Sequence, residues 1–364
     1  MMNDIYLIAG DILTCAGDLD HTWSALQSGT TSLVSQKLDG FDQAWPLGII
    51  PDLPDVGCGT NRRLEALFDR LFTKLPDITP ETPLLLATTK GAADELLYSN
   101  RSYHGQPWQV GDRLCEHLSL TGGSTTVSAA CASSTIALIQ AALKIATGEC
   151  DQALVVGVDL ISYFVLGGFA SLKGLSPTGC RPFDRKRDGL SLGEGGGWLL
   201  LSNRKERFNK KTQVYSPTGW GITCDATHIT APCRNGSGLI SAVTQAITGA
   251  PEVVGGINAH GTGTVYNDAM ELTAFQKIWD TPPPICSVKG CIGHCLGAAG
   301  IIEALLSLKS LEAGTLPPTI GLAEPEAESP LISGTMAIPL LSTSILTCNS
   351  GFGGINAAIL LSKK

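Results

Sequence analysis

The feature that most constrains the fold is a strand–helix–strand pattern in the first half of the chain. Residues 125–128 have the composition of a strand, and residues 152–158 form a second run rich in Val and Leu. Between them, residues 132–147 carry apolar side chains at a helical spacing, at Ile136, Ile139, Leu143 and Ile145. Such crossovers are right-handed and join parallel strands, so the pattern predicts a parallel pairing within a sheet.

A similar order of elements returns in the second half. After a charged run that starts at Arg204, the pattern predicts strands and helices in alternation, at 214–223, 236–248, 253–259, 268–279, 284–288 and 298–312. The layout of Thr126–Cys131 before one helix corresponds to that of Ile285–Gly290 before another. We therefore expect an internal duplication, with one half over residues 1–205 and the other over residues 206–364.

The composition favours a compact α/β protein, because charged residues are 16% of the chain, hydrophobic ones 43%, and glycines number 42. A net charge of −8 argues against a nucleic-acid partner.

The 12 cysteines are scattered, and no signal-peptide pattern opens the chain, which predicts reduced thiols and a cytoplasmic location. No apolar run is long enough to predict a membrane span.

Cys131 is the first candidate for chemistry. It lies among small residues between the strand and the helix, where unpaired backbone N–H groups and the helix dipole favour a thiolate. This position predicts a nucleophile with a lowered pKa. A buried structural cysteine remains the alternative, since cysteine is commonly a core residue.

Two histidines and a lysine follow other predicted strands. His260 comes directly after a buried strand, and Lys289 and His294 lie in the loop after the next one. Because α/β sheets place functional groups at the carboxyl ends of strands, these side chains are expected at one face, with Glu303 as the counter-ion of Lys289. The alternatives are a core histidine and a solvated lysine.

A zinc site is an alternative at the same loop, since Cys286, Cys291, His294 and Cys295 are residues of the kind that bind zinc. The absence of a C-x-x-C pair argues against it, and we expect no metal. A cysteine that accepts an acyl group, with two imidazoles that hold a developing enolate oxygen, indicates carbon–carbon condensation instead.

Taken together, these blocks resemble the elongating β-ketoacyl-[acyl carrier protein] synthases, the condensing enzymes of the thiolase fold. The matching stretches cover nearly the whole chain: Ala130–Ser133, Arg181–Asp184, Arg187–Gly189, Asn258–Thr262, Lys289–His294, Gly297–Gly300 and Asn349–Gly354. The resemblance implies a duplicated α/β fold layered α-β-α-β-α, with two mixed sheets and buried central helices.

For the chemistry, the resemblance implies that Cys131 carries the acyl chain. The N–H groups of Cys131 and Phe352 would form an oxyanion hole. His260 and His294 would bind malonyl thioester and drive its decarboxylation, while Lys289 and Glu303 would order the site. The implied reaction is the decarboxylative condensation of an acyl chain with malonyl-carrier protein, in fatty acid or polyketide synthesis.

For binding, the resemblance assigns Thr262 and Thr264 to the phosphopantetheine arm, Phe169 to the acyl-pocket wall and Phe352 to the gate. Arg62, Arg63 and Lys173 are expected to contact an acyl carrier protein. No cofactor is expected, because the arm belongs to the carrier. The partner would be an identical chain or a second ketosynthase.

The chain departs from the family pattern in three places. It is shorter than typical members between residues 30 and 125, Glu194 stands where an aspartate is common, and Asn349–Ser350 runs into Gly351 without a second aromatic residue. These departures bear on chain-length preference rather than on the core chemistry.

Three other functions are alternatives to the decarboxylative condensation. The chain would be the chain-length-determining partner of a ketosynthase heterodimer if the shortened half had lost catalysis, but such partners typically lack the cysteine. A degradative thiolase would need a second cysteine in the Gly351–Gly354 loop. Initiating ketosynthases that use coenzyme A primers carry asparagine in place of His294.

Overall fold

The computed structural model describes residues 4–54, 56, 60–97, 105–205, 214–248, 253–326 and 332–364. The strands are β1 Tyr6–Thr14, β2 Val34–Gln36, β3 Trp45–Leu47, β4 Leu84–Ala87, β5 Ser124–Val127, β6 Gln152–Asp159, β7 Gly195–Ser202, β8 Tyr215–Cys224, β9 Ile257–Asn258, β10 Ile285–Cys286, β11 Thr315–Leu316, β12 Ile338–Pro339, β13 Ser344–Gly351 and β14 Ile355–Lys363. The α-helices are α1 Leu19–Gln27, α2 Thr60–Leu71, α3 Pro107–His117, α4 Ser133–Ala146, α5 Tyr163–Ser171, α6 Ser237–Ile247, α7 Val265–Ile278, α8 Lys289–Ile292 and α9 Ala299–Ala313.

The strand order confirms the duplicated α/β fold. One half of the sheet runs β1-β7-β6-β4-β5 and the other runs β8-β14-β13-β9-β10. Each half begins with two antiparallel pairings and continues with two parallel ones, in the same order. The segments Thr126–Cys131 and Ile285–Gly290, which have the same layout in the sequence, contain β5 and β10. These are the outermost strands of the two halves.

The expected pair of mixed sheets is one continuous sheet in the structure. Its ten strands join where Leu7 of β1 pairs with Tyr215 of β8. The proposed boundary after residue 205 stays a prediction, because residues 206–213 lie outside the described part of the chain.

Two buried helices separate the halves of the sheet. Both α4 and α9 contact strands of both halves, and they contact each other. Eleven residues of α4 are buried, among them Ala137, Ala141 and Ala142, whose small side chains let the helices lie close. Helices α2 and α3 cover the outer face of one half, and α6 and α7 cover the other, which gives the expected α-β-α-β-α layers.

Sequence patterns missed α3 and α5. Helix α3 begins with Pro107, a favourable first-turn residue that could have marked its start. Helix α5 is capped by Ser162, whose side chain accepts a hydrogen bond from the N–H of Val165, but it contains two glycines that weaken a helical pattern. Among the described residues, no helix is long and apolar enough to cross a membrane.

A buried ion pair ties α2 to the sheet. One guanidinium nitrogen of Arg63 lies 2.6 Å from each carboxylate oxygen of Glu194, which directly precedes β7. Glu194 also accepts the N–H groups of Ile50 and Ile161, at 2.9 and 3.2 Å. Both charged side chains are buried, so removal of either leaves the other without compensation.

We predict that Arg63→Met lowers the free energy of unfolding by about 3–5 kcal/mol, because it leaves the Glu194 carboxylate buried and unpaired. The neighbouring Arg62 is exposed on the same helix and serves as the matched control. Arg62→Met should change stability by no more than about 0.5 kcal/mol. Urea unfolding of the two variants checks this, and equal losses would contradict it.

Candidate active site

The candidate catalytic side chains meet at the carboxyl ends of four strands. Cys131 follows β5, His260 follows β9, His294 follows β10, and Phe352 follows β13. Strands β10, β9 and β13 are mutually parallel neighbours, so the segments after them emerge at one edge. Cys131 reaches this edge from the other half of the sheet, at the start of α4.

The turn that presents Cys131 is sharp. Ala130 has a φ of +48°, in the left-handed region, and the N–H of Ala132 bonds to the carbonyl of Ala129 at 3.2 Å. A Cβ at Gly351 would lie only 3.0 Å from the Cys131 nitrogen, so this glycine permits the close approach of the Gly351–Gly354 loop. The backbone of Phe352, in this loop, acts to lower the pKa of the Cys131 thiol.

His294 is the direct partner of the nucleophile. Its Nε2 lies 2.9 Å from Cys131 Sγ, and both residues are buried. Burial raises the pKa of the Cys131 thiol to about 12, although Lys289 acts in the opposite direction. The lowered pKa expected from the helix start is therefore wrong, because desolvation outweighs the favourable charges.

The imidazole of His294 is neutral, since burial and Lys289 hold its pKa well below the usual value of 6.5. Nε2 can accept the thiol proton in the tautomer that carries its own proton on Nδ1, a nitrogen without a hydrogen-bond partner among the described residues. The thiol therefore stays protonated at rest, with His294 placed to take up its proton as the sulfur reacts.

The neighbours of His260 fix its tautomer. Its Nδ1 lies 3.3 Å from the Lys289 Nζ and 3.4 Å from the Asn349 Nδ2. An ammonium and an amide NH₂ donate only, so Nδ1 accepts and Nε2 carries the proton. Burial and the nearby Lys289 keep the pKa of this ring well below 6.5, so it is also neutral. The rings of His260 and His294 meet edge to face, with centroids 5.1 Å apart.

Lys289 and Glu303 form a buried ion pair beside His260. The Lys289 Nζ lies 2.5 Å from Glu303 Oε1 and also donates to the carbonyl oxygen of His260. Burial raises the pKa of Glu303, and the hydrogen bonds from Lys289 and Asn349 oppose that rise. The pair places a positive charge next to the histidines without a net charge in the core.

The ligand atoms of Cys131, His260 and His294 lie within 4.8 Å of one another, a spacing that a metal ion can bridge. The donors that face His260 Nδ1 leave the proton on Nε2, which is then not free to bind a metal. Two cysteines of the zinc alternative point elsewhere: the thiol of Cys291 faces the Thr30 carbonyl and that of Cys295 faces the Glu194 carbonyl. The cluster suits proton transfer better than metal binding.

A cavity of about 390 Å³ opens onto Cys131 and both histidines. Thr262 and Thr264 line it, with their hydroxyl oxygens 2.9 Å apart. Phe169 of α5 stacks on Phe352, with ring centroids 5.6 Å apart, and both line the cavity. The residues assigned to the arm, the pocket wall and the gate therefore share one space.

The three expected carrier contacts are not equivalent. Lys173 is exposed and lines the cavity rim, and Arg62 is exposed on α2. Arg63 is only 2% exposed and bonds to Glu194. A direct contact between Arg63 and a carrier protein was therefore a wrong expectation, since the helical spacing that exposes Arg62 turns the next residue inward.

Sequence reasoning missed two carboxylates that hold the His260 loop. Glu271 accepts the N–H groups of His260 and Gly261, each at 2.7 Å, and Asp268 accepts those of Thr262 and Gly263. Burial, with Asp268 close by, raises the pKa of Glu271 to about 8. Their spacing of three residues on α7 was a usable signal, because it puts both carboxylates on one helix face.

Comparisons with known proteins identify the family. Residues 85–207 match the family model described as the beta-ketoacyl synthase N-terminal domain, and residues 216–323 match that of the C-terminal domain. Together the two models match more than half of the chain.

Curated relatives support the same family. A 3-oxoacyl-[acyl-carrier-protein] synthase I of Hordeum vulgare is 35% identical over 66% of this chain and 55% of its own length. The chain thus spans about half the length of that relative, and 48% of a related synthase II of Arabidopsis thaliana. A 3-oxoacyl-[acyl-carrier-protein] synthase 2 of Mycobacterium bovis is 28% identical over 94% of this chain and 93% of its own.

Among solved structures, a ketosynthase of Xenorhabdus doucetiae, in complex with its chain length factor, has a TM-score of 0.83 and 28% identity, and the match covers 100% of this chain and 98% of that one. The ishigamide ketosynthase/chain length factor has a TM-score of 0.87 at 24% identity, with 100% of both chains covered, which shows the shared fold. The domain models, the relatives and the site geometry agree: the chain belongs to the β-ketoacyl synthase family.

Proposed function

We propose that this chain is a 3-oxoacyl-[acyl carrier protein] synthase that condenses an acyl chain held on Cys131 with malonyl-carrier protein. The observation that carries the proposal is the different placement of two histidines around one cavity. His294 Nε2 lies 2.9 Å from the thiol sulfur, within reach of its proton, whereas His260 presents an Nε2–H donor. One histidine is thus suited to activate a nucleophile and the other to stabilise a negative oxygen.

In the first half-reaction, the Cys131 sulfur attacks the carbonyl carbon of an acyl thioester. The thiol proton passes to His294 Nε2, and the departing arm thiolate takes that proton as the carbon–sulfur bond breaks. The N–H groups of Cys131 and Phe352 would hold the oxyanion of the tetrahedral intermediate. Because the proton leaves the sulfur as the new carbon–sulfur bond forms, the step does not require a free thiolate, which burial disfavours.

In the second half-reaction, malonyl thioester loses CO₂ and forms an enolate. The Nε2–H of His260, and that of His294 in the tautomer that carries its proton there, would donate to the enolate oxygen. The enolate carbon then attacks the acyl carbonyl carbon, the bond to Cys131 breaks, and the thiolate takes a proton from solvent. The products are a 3-oxoacyl thioester, CO₂ and the free thiol.

The carrier protein, the cofactor and the location are parts of the same proposal. The acyl carrier protein would bring the phosphopantetheine arm past Thr262 and Thr264, with Lys173 at the rim and Arg62 on α2 as contacts, so no further cofactor is needed. The partner would be an identical chain or a second ketosynthase.

A cytoplasmic location is supported by twelve cysteines without paired spacing and is testable by cell fractionation.

The alternative of a chain-length-determining partner subunit is less well supported, because Cys131, His260, Lys289, His294 and Glu303 meet around one site. A subunit that only shaped the product would have no use for this set.

We predict that incubation with a panel of acyl-carrier proteins adds one acyl group to the protein, and that Cys131→Ala abolishes this addition. Cys150→Ala, which changes a half-buried cysteine after α4, is the matched control and should load normally. Mass spectrometry of the intact protein measures the addition. Loading of the Cys131→Ala variant at the normal rate would overturn the proposal.

The two histidines are expected to affect different half-reactions. His260→Ala should lower malonyl decarboxylation by about 10²–10³-fold, the usual effect of removing an oxyanion donor, while Cys131 still loads. His294→Ala should slow loading, because its Nε2 contacts the sulfur, and also decarboxylation, because its ring would donate to the enolate oxygen. Separate assays of acyl loading and CO₂ release distinguish the two variants, and identical profiles would contradict the assigned roles.

A further inference from the structure

Asn349, near the end of β13, connects the nucleophile helix to the Lys289–Glu303 pair. Its Oδ1 accepts a hydrogen bond from the Thr135 hydroxyl of α4. Its Nδ2 donates to Glu303 Oε2 at 2.7 Å and lies 3.4 Å from His260 Nδ1. Asn349, Thr135 and Glu303 are all buried.

The orientation of this amide is determined by its neighbours. An ionised Glu303 only accepts hydrogen bonds, so the NH₂ group must face it and the amide oxygen must face Thr135. Thr135 lies one helical turn after Cys131, so the same helix positions the nucleophile and the hydroxyl that orients Asn349.

The packing of α4 against α9 leaves room for this contact only at a glycine. A Cβ at Gly300 would collide with Thr135 Oγ1 and lie 2.9 Å from Asn349 Oδ1. The second glycine of the Gly297–Gly300 motif therefore makes space for the Thr135–Asn349 hydrogen bond.

The two carboxylate oxygens of Glu303 are held by different donors. Lys289 bonds to Oε1 and Asn349 to Oε2, so the carboxylate is fixed on both sides. Lys289 in turn contacts the carbonyl oxygen and Nδ1 of His260. Loss of the Asn349 donor would leave Oε2 buried and unpaired, and would free the lysine to move away from the ring.

We propose that Asn349, oriented by Thr135, is a positioning residue for the decarboxylating half-reaction: it holds Glu303 and Lys289 so that His260 keeps its proton on Nε2. This inference rests on the proposed function. Asn349 does not contact the Cys131 sulfur, so its effect falls on decarboxylation and not on loading.

The test compares Asn349→Leu, Thr135→Val and Thr135→Ser in the full chain. Leu and Val approximate the replaced shapes without their polar groups, and Ser keeps the hydroxyl. Asn349→Leu should lower CO₂ release from malonyl-carrier protein by about 10²-fold and Thr135→Val by about 10-fold, while acyl loading changes by less than about 2-fold. Thr135→Ser should restore most of the decarboxylation lost in Thr135→Val.

A second readout does not depend on turnover. Two-dimensional NMR of protein labelled with ¹⁵N-histidine should show a proton on Nε2 of His260 in the natural protein, and a mixture of tautomers in Asn349→Leu. A His260→Gln variant assigns the signal.

The proposal is overturned if loading and decarboxylation fall together in both Asn349→Leu and Thr135→Val, or if decarboxylation is unchanged in both. It is also overturned if the His260 tautomer is the same in all variants. A natural protein that neither loads nor decarboxylates would instead refute the proposed function, while the NMR comparison would still report on the position of Asn349.

Discussion

The close contact between α4 and α9 is the constraint on which the site depends. Helix α4 begins directly after Cys131, and α9 begins a few residues after His294, so the distance between these helices sets the distance between the thiol and the imidazole. One polar contact joins them directly, since Ser134 of α4 accepts the N–H of Ile301 in α9. Gly300 of α9 also makes room for the hydrogen bond from Thr135 of α4 to Asn349 of β13. Larger side chains at this crossing would separate nucleophile and base.

The site also depends on the balance of charges in the core. Desolvation keeps both histidines neutral and the thiol protonated. In such surroundings an unpaired lysine would be costly, and Glu303 offsets its charge at 2.5 Å. The ammonium can then act on His260, where it makes Nδ1 an acceptor. The charges in the core therefore fix the proton of His260 on Nε2, and the pKa of Cys131 is not lowered.

Much of the fold was predictable because local sequence patterns indicated its strands and helices. The buried strand around residues 152–158 is apolar on both faces, and the repeated order of elements predicted the two related halves of the sheet. Helix α5 was missed, since Gly167 and Gly168 interrupt its pattern and packing supplies the stability that propensity does not. Arg63 was misplaced because neighbouring positions of a helix face different directions, and Arg62 and Arg63 are identical in type.

By itself, the sequence determined which residues are candidates for the chemistry and the order in which they follow strands, because a cysteine, two histidines, a lysine and glycine-rich loops are properties of local stretches. Only the tertiary structure decided which nitrogen of His260 holds the proton, that burial raises the pKa of Cys131, and that Asn349 joins α4 to Glu303. These properties depend on distances between residues far apart in the chain and on the exclusion of water around them. Neither quantity is encoded in any single segment.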